Sequence, residues 1–203
     1  MNQKTICGGI IPMLVLVAAM VSHVYSQPKN NAEQVTMELI GQVTNPSPAT
    51  SIQIGYLTYA NGLESELFTG VPNNETNALL TFFSDTVTTR VINNGTIRTI
   101  NRRGTFMIYL DTTPNGDFAD PDTFRDGSPV LTADLRHQVI VDTITSAFTA
   151  TFTLTVTSVE GFEIGSQYTR LGRVGQKLRL TFFGHLNSPG PPSGYISGMM
   201  IGS

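Results

Sequence analysis

The residues best suited to chemistry sit in one polar stretch, "DTTPNGDFADPDTFRDG", Asp111 to Gly127. Counting from Asp111 as one, oxygen-bearing side chains fall at three (Thr113), five (Asn115), seven (Asp117) and twelve (Asp122). Gly116 occupies position six, where a loop that wraps an ion must turn sharply. Hard oxygen donors gathered on such a loop suit a hard cation, and calcium is the cation they fit.

This register resembles the calcium loop of an EF-hand. The resemblance covers about twelve residues and departs from the pattern in four ways. Thr113 stands where a carboxylate or amide is usual, and Pro114 and Pro121 stiffen the turn. Asp122 has a shorter arm than the glutamate that normally binds in a bidentate way. The flanking segments read as strands and not as helices. The resemblance implies a structural calcium ion on Asp111, Thr113, Asn115, Asp117 and Asp122. The plain alternative is a turn rich in Asp, Asn, Gly and Pro because turns favour those residues.

Other chemistry is sparse. Past residue 26 there are two histidines, His137 and His185, and no cysteine. No His-x-His, His-Glu-x-x-His or cysteine pair is present, so a transition-metal site is not expected. No phosphate-binding glycine loop or Gly-x-Ser-x-Gly elbow occurs. A lone histidine on a strand reads first as a surface or hydrogen-bonded residue. Glu64 and Glu66 share a strand face and could form an acid/base pair, but that spacing also suits a charged edge strand. Arg170, Arg173, Lys177 and Arg179 form a basic cluster that reads as solvated loop and strand-edge positions. No catalytic residue is assigned.

The elements that position these groups read as all-β. Short alternating runs recur between turn residues, and no amphipathic helix of useful length appears. In "FTATFTLTVTS", Phe148, Ala150, Phe152, Leu154 and Val156 share one face, and threonines fill the other. The apolar face must be core; the threonine face is solvent or a polar lumen. Val35, Met37 and Leu39 alternate likewise, as do Ile52, Ile54 and Tyr56, then Phe106, Ile108 and Leu110, then Leu178, Leu180 and Phe182. Asn61-Gly62 and Asn94-Gly95 are turn signals. "RR" at 102–103 reads as a link into the strand "TFMIYLD", and Thr132–His137 is compatible with a helical turn. The tail "YISGMMIGS" is apolar enough to pair back as a last strand. The expected fold is a single antiparallel β-barrel or β-sandwich of roughly eight to ten strands, the barrel preferred because a run as long as β-rich "FTATFTLTVTS", about 36 Å extended, suits an oblique wrap.

The N-terminus predicts a compartment. Lys4 precedes an apolar run, Ile10–Val21, of signal-peptide length and short of a membrane span. "VYS" supplies a cleavage site between Ser26 and Gln27. The expected organisation is a signal peptide over 1–26 and one all-β domain over 27–203, exported to a secreted or periplasmic location. Cys7 would leave with the signal, so the mature domain would stand without disulfides. A net charge of −3 argues against nucleic acid as the partner. No membrane span is expected in the mature chain, and no oligomeric state follows.

Three functions fit. The first is a non-enzymatic domain that binds a small apolar ligand inside a barrel. Ala150 and Gly55, small and in phase with larger neighbours, would leave it room. The second is a structural or interaction protein of the cell envelope or extracellular matrix with a calcium-stabilised loop. The third is an enzyme of unassigned reaction, which would need His137 or His185 beside a carboxylate in a deep pocket.

Overall fold

The computed structural model describes residues 35–63, 67–187 and 192–202. The expected signal peptide, its cleavage point at Ser26/Gln27, and the Glu64/Glu66 pair lie outside the described residues. Ten strands follow in chain order: β1 (Val35–Ser47), β2 (Thr50–Ala60), β3 (Leu80–Asn94), β4 (Ile97–Leu110), β5 (Ser128–Asp142), β6 (Ala147–Val159), β7 (Phe162–Ile164), β8 (Gln167–Thr169), β9 (Lys177–Leu186) and β10 (Gly194–Gly202). Eight close into an antiparallel barrel in the order β1-β10-β9-β6-β5-β4-β3-β2, and β7 and β8 form a separate hairpin. The barrel, and not the sandwich, is the architecture. The apolar tail closes it: β10 pairs with β9 on one side and with β1 on the other.

Strands β3 to β6 run 13 to 15 residues, far beyond the usual five or six. Such length follows from tilt, since strands of a closed barrel climb obliquely around its axis. Strand β3 is one unbroken strand, and its hairpin to β4 turns at Gly95, whose φ of +59° suits a residue without a side chain. Strand β5 is also continuous, so Thr132–His137 is strand and not a helical turn. Arg102 and Arg103 likewise lie within β4 and link nothing.

The interior is built by phase. Phe148, Ala150, Phe152, Leu154 and Val156 on β6 are buried in the main core, and the threonine row lies on the outer face. Met37, Leu39, Leu178, Leu180, Phe106 and Ile108 join the same core from β1, β9 and β4. One end of the barrel is plugged: Leu63, Leu67, Phe162, Ile164 and Leu171, from its longer connections, pack into the core there. At the other end the strands are joined by the short β1–β2, β3–β4 and β5–β6 turns and the β9–β10 connection.

Strand β2 inverts the expected pattern. Its apolar set, Ile52, Ile54 and Tyr56, faces outward into a second core with Ala78, Phe83, Tyr109 and Phe124. That core is covered by the connections that follow β2 and β4, which supply Phe68, Phe118 and Phe124. The small and polar set Ser51, Gln53 and Gly55 is the set on the lumen side, and all three are buried. Alternation alone cannot distinguish the two faces when both are covered.

Gly55 does not leave empty space. It lies opposite Gly41 on β1 and opposite Phe82 on β3. The Phe82 ring fills the gap, 2.8 Å from where a Gly55 Cβ would stand. Phe82 then stacks at 5.7 Å on Phe106 and at 6.0 Å on Phe182, and Phe152 meets Phe182 edge-on at 5.3 Å. Four rings from four strands thus meet in the middle of the lumen. A Cβ there would also collide with the Ile40 carbonyl oxygen and stand 2.7 Å from the Gly41 Cα, so Gly55→Val should cost about 3 kcal/mol or more by forcing β1 and Phe82 to shift. Gly70→Ala, at a site with no neighbour within 4 Å, should change stability by under about 0.5 kcal/mol. Denaturant unfolding of the two variants measures both; equal stability would mean that β1 and Phe82 do not crowd Gly55 as described.

Candidate binding cavity

Beyond the aromatic cluster, towards the short-turn end, the barrel is not filled. A cavity of about 500 Å³ lies there. Its apolar wall comes from β5, β6, β9 and β10: Val139, Val141, Phe148, Ala150, Phe182 and Ile196. Ala150 is where the small side chain opens space that a larger residue would occupy. The opposite wall, from β1, β2, β4 and β5, carries Asn45, Gln53, Arg102 and His137. Pro46, Ser47, Pro48, Val91, Arg98 and Leu186 form the rim, and Pro48, Val91 and Arg98 are exposed. The cavity is therefore amphipathic and reached from one end.

The polar groups near β2 and β3 satisfy one another. Ser84 Oγ donates to Gln53 Oε1 at 2.9 Å, Gln53 Nε2 donates to Ser51 Oγ, and Thr86 Oγ1 donates to the Ser51 carbonyl at 2.9 Å. A closed network of this kind removes the cost of burying each group.

Arg102 and His137 are different. They face each other in register across β4 and β5 and share the lumen-facing phase with Phe106, Ile108, Leu135 and Val139. Both are almost fully buried, at 8% and 4% exposed. The Arg102 Nε donates to Thr88 Oγ1 on β3, and Nη2 reaches across the lumen to Asn45 Oδ1 on β1, each at 3.3 Å. These are long bonds to neutral oxygens, made by two of the five guanidinium donors. Among the described residues, no Asp or Glu lines the cavity. Burial, and then the charge of Arg98 four residues earlier on the same strand, lowers the Arg102 pKa to about 10, so Arg102 remains a cation at neutral pH.

Among the described residues, His137 has no hydrogen-bond partner at either ring nitrogen. Its ring packs against Phe152 with centroids 4.4 Å apart. Burial first, and Arg102 second, push its pKa down from the usual 6.5 to about 3. It is a neutral imidazole with one donor and one acceptor unmet. The expectation of a surface or hydrogen-bonded histidine fails here. The signal was available: His137 continues the phase of Leu135, Val139 and Val141, and Arg102 continues that of Phe106 and Ile108. His185 is exposed at the end of β9.

The acidic loop joins β4 to β5 at the plugged end, away from the cavity. Its side chains are engaged one by one. Asp111 Oδ1 accepts the Thr113 N–H at 2.9 Å, and Asp117 Oδ1 accepts the Ala119 N–H at 2.8 Å. Asn115 donates to Asp126 at 2.9 Å, and Asp122 pairs with Arg125 at 2.6 Å. Among the described residues, no group of three or more His, Cys, Asp or Glu side chains is gathered to hold a metal. Asp111 Oδ2 is nonetheless buried and without a partner. The basic residues Arg170, Arg173, Lys177 and Arg179 are all exposed and lie outside the cavity.

No protein-family model, curated protein or solved structure matches this chain, so the cavity is read from its own geometry. Among the described residues no helix is long and apolar enough to cross a membrane.

The state of His137 sets a pH dependence. The unfolded chain takes up its proton near pH 6.5, whereas the folded chain resists until about pH 3. Stability from this residue is therefore whole above about pH 6.5 and falls as pH is lowered through that window. The loss reaches on the order of 3 kcal/mol by pH 4. Urea unfolding of wild type and His137→Phe between pH 7 and pH 4 should show a shallower decline in the variant. Parallel declines would mean that His137 is protonated in the native state.

Proposed function

We propose that this chain is an exported, non-enzymatic β-barrel that carries a small apolar molecule in its interior. The observation that supports this is the cavity of about 500 Å³, bounded on one side by Phe148, Ala150, Phe182 and Ile196 and entered from one end. Sites for small molecules commonly have volumes of roughly 300–1,000 Å³, are mostly apolar, and carry few polar groups. An eight-stranded barrel is about the size that holds one such ligand when it is not filled by its own side chains. Here the aromatic cluster fills the middle and the longer loops plug one end, so the remaining end is left to the guest. Export rests on the signal-like N-terminus.

Native mass spectrometry of the protein recovered from outside the producing cells tests this reading. The expected result is a chain beginning at Gln27 with a surplus of a few hundred daltons, lost on denaturation and absent from Ala150→Phe. A bare wild-type chain that also fails to bind the neutral dye N-phenyl-1-naphthylamine would overturn it.

A second reading, a protein with a calcium-stabilised loop, is favoured by the unpartnered buried Asp111 Oδ2. Binding would require Asp117 and Asp122 to leave their present partners and turn towards Asp111. Calcium should then raise the melting temperature over that in EDTA, and Asp111→Asn should abolish the rise. Superimposable wild-type melts would sink this reading.

A further inference from the structure

The cavity wall contains a charge that, among the described residues, nothing inside the barrel answers. Arg102 holds its guanidinium in the lumen, at 8% exposure, with two neutral hydrogen-bond acceptors and no carboxylate. A buried charge without a counter-charge is costly, and removal from water strengthens whatever electrostatic bond it can make. Beside it, the neutral His137 ring has no partner at either nitrogen. The neighbouring Gln53, Ser84 and Ser51 show that this barrel can satisfy buried polar groups where they need only each other. Arg102 and His137 are the pair on the same wall left with unmet donors, and they line the cavity.

Resting on the cavity reading above, we infer that the guest is an amphipathic anion. Its single acidic head group, a carboxylate or a sulfonate, would pair with Arg102, and its apolar body would lie on the Phe148–Ala150–Phe182–Ile196 wall. A guanidinium presents its donors as a planar fork that fits the two oxygens of such a head group. The neutral imidazole of His137 can donate one further hydrogen bond to the same oxygens. The depth of Arg102 sets the orientation: the head enters first, and the apolar end points back to the rim. Arg98 lies on the same inward phase of β4 but is exposed at the rim, so water already screens it. It draws anions towards the mouth and does not hold them.

Two dyes with the same rings separate the head group from the body. 8-Anilinonaphthalene-1-sulfonate carries the anion, and N-phenyl-1-naphthylamine lacks it. Wild type should bind the sulfonate about tenfold more tightly or better, although the neutral dye is the more apolar. Arg102→Gln should lose that preference while keeping its affinity for the neutral dye within about twofold. Arg102→Lys should retain part of the preference, and Arg98→Gln nearly all of it. Dodecanoate should displace the neutral dye from wild type at lower concentration than 1-dodecanol, which decides the matter should the Arg102 variants not fold. If wild type binds both dyes alike, or if Arg102→Gln still prefers the sulfonate, the anion inference is wrong and the cavity reading stands. If wild type binds neither dye, both readings fall together.

Discussion

Closure of the sheet by β10 is the constraint on which everything else rests. That strand pairs with β1 over Val35–Val43 and with β9 over Leu178–Leu186. Without it the sheet would have two free edges, each a row of unpaired backbone groups. With it, every barrel strand has two neighbours, and the interior acquires a fixed perimeter. Eight strands enclose a lumen wide enough for side chains or for one small molecule, but not for both along its whole length. The chain divides that length. Phe82, Phe106, Phe152 and Phe182 occupy the middle, the longer loops plug one end, and the other end stays open.

The division explains how a buried cation is tolerated. A domain without an interior cavity would bring Arg102 into close contact with hydrocarbon on every side. Here it hangs at the inner edge of an entrance, held by Asn45 from across the lumen and by Thr88 beside it. Stability is supplied elsewhere, by the aromatic cluster and by the second core outside β2. The cavity wall can therefore hold groups chosen for something other than packing. His137 makes the same point more sharply, because a phenylalanine of similar shape would pack against Phe152 without leaving two nitrogens unmet.

Much of the barrel was legible in the sequence because most strands bury one face only. The rows on β6 and β9, the start of β1 and the end of β4 alternate cleanly, and each apolar set lies in the core. The last strand was legible from its apolar character, and the Asn94-Gly95 turn from backbone sterics. Strand β2 was not, for a physical reason. Loops cover its outer face with Phe68, Phe118 and Phe124, so its apolar residues serve the outer core and its small and polar ones the lumen. Alternation gives a period; it carries no label for inside. The site was hidden by a related assumption. Arg102 and His137 sit on the apolar phase of their strands, and from sequence alone a polar residue on that phase reads as a break in the strand or as its end. Gly55 reads from sequence as room, whereas the β1 backbone and Phe82 on the next strand fill it.

A polar residue on the buried phase of a long strand has two readings, an interrupted element or a site. Strand length distinguishes them. Uninterrupted pairing of β4 with β5 runs from Ile97 to Ile108 on one side and from Asp142 to Leu131 on the other, with Arg102 opposite His137 at its centre. Backbone pairing that persists through two such residues must be stabilised by the rest of the ladder and by the core on either side. The cost of placing them in the lumen is then borne by the whole barrel, and no local relaxation of the backbone relieves it. An anion delivered to that point would be bound by groups already desolvated and already held in place, which is the condition under which one charge–charge contact contributes most to affinity.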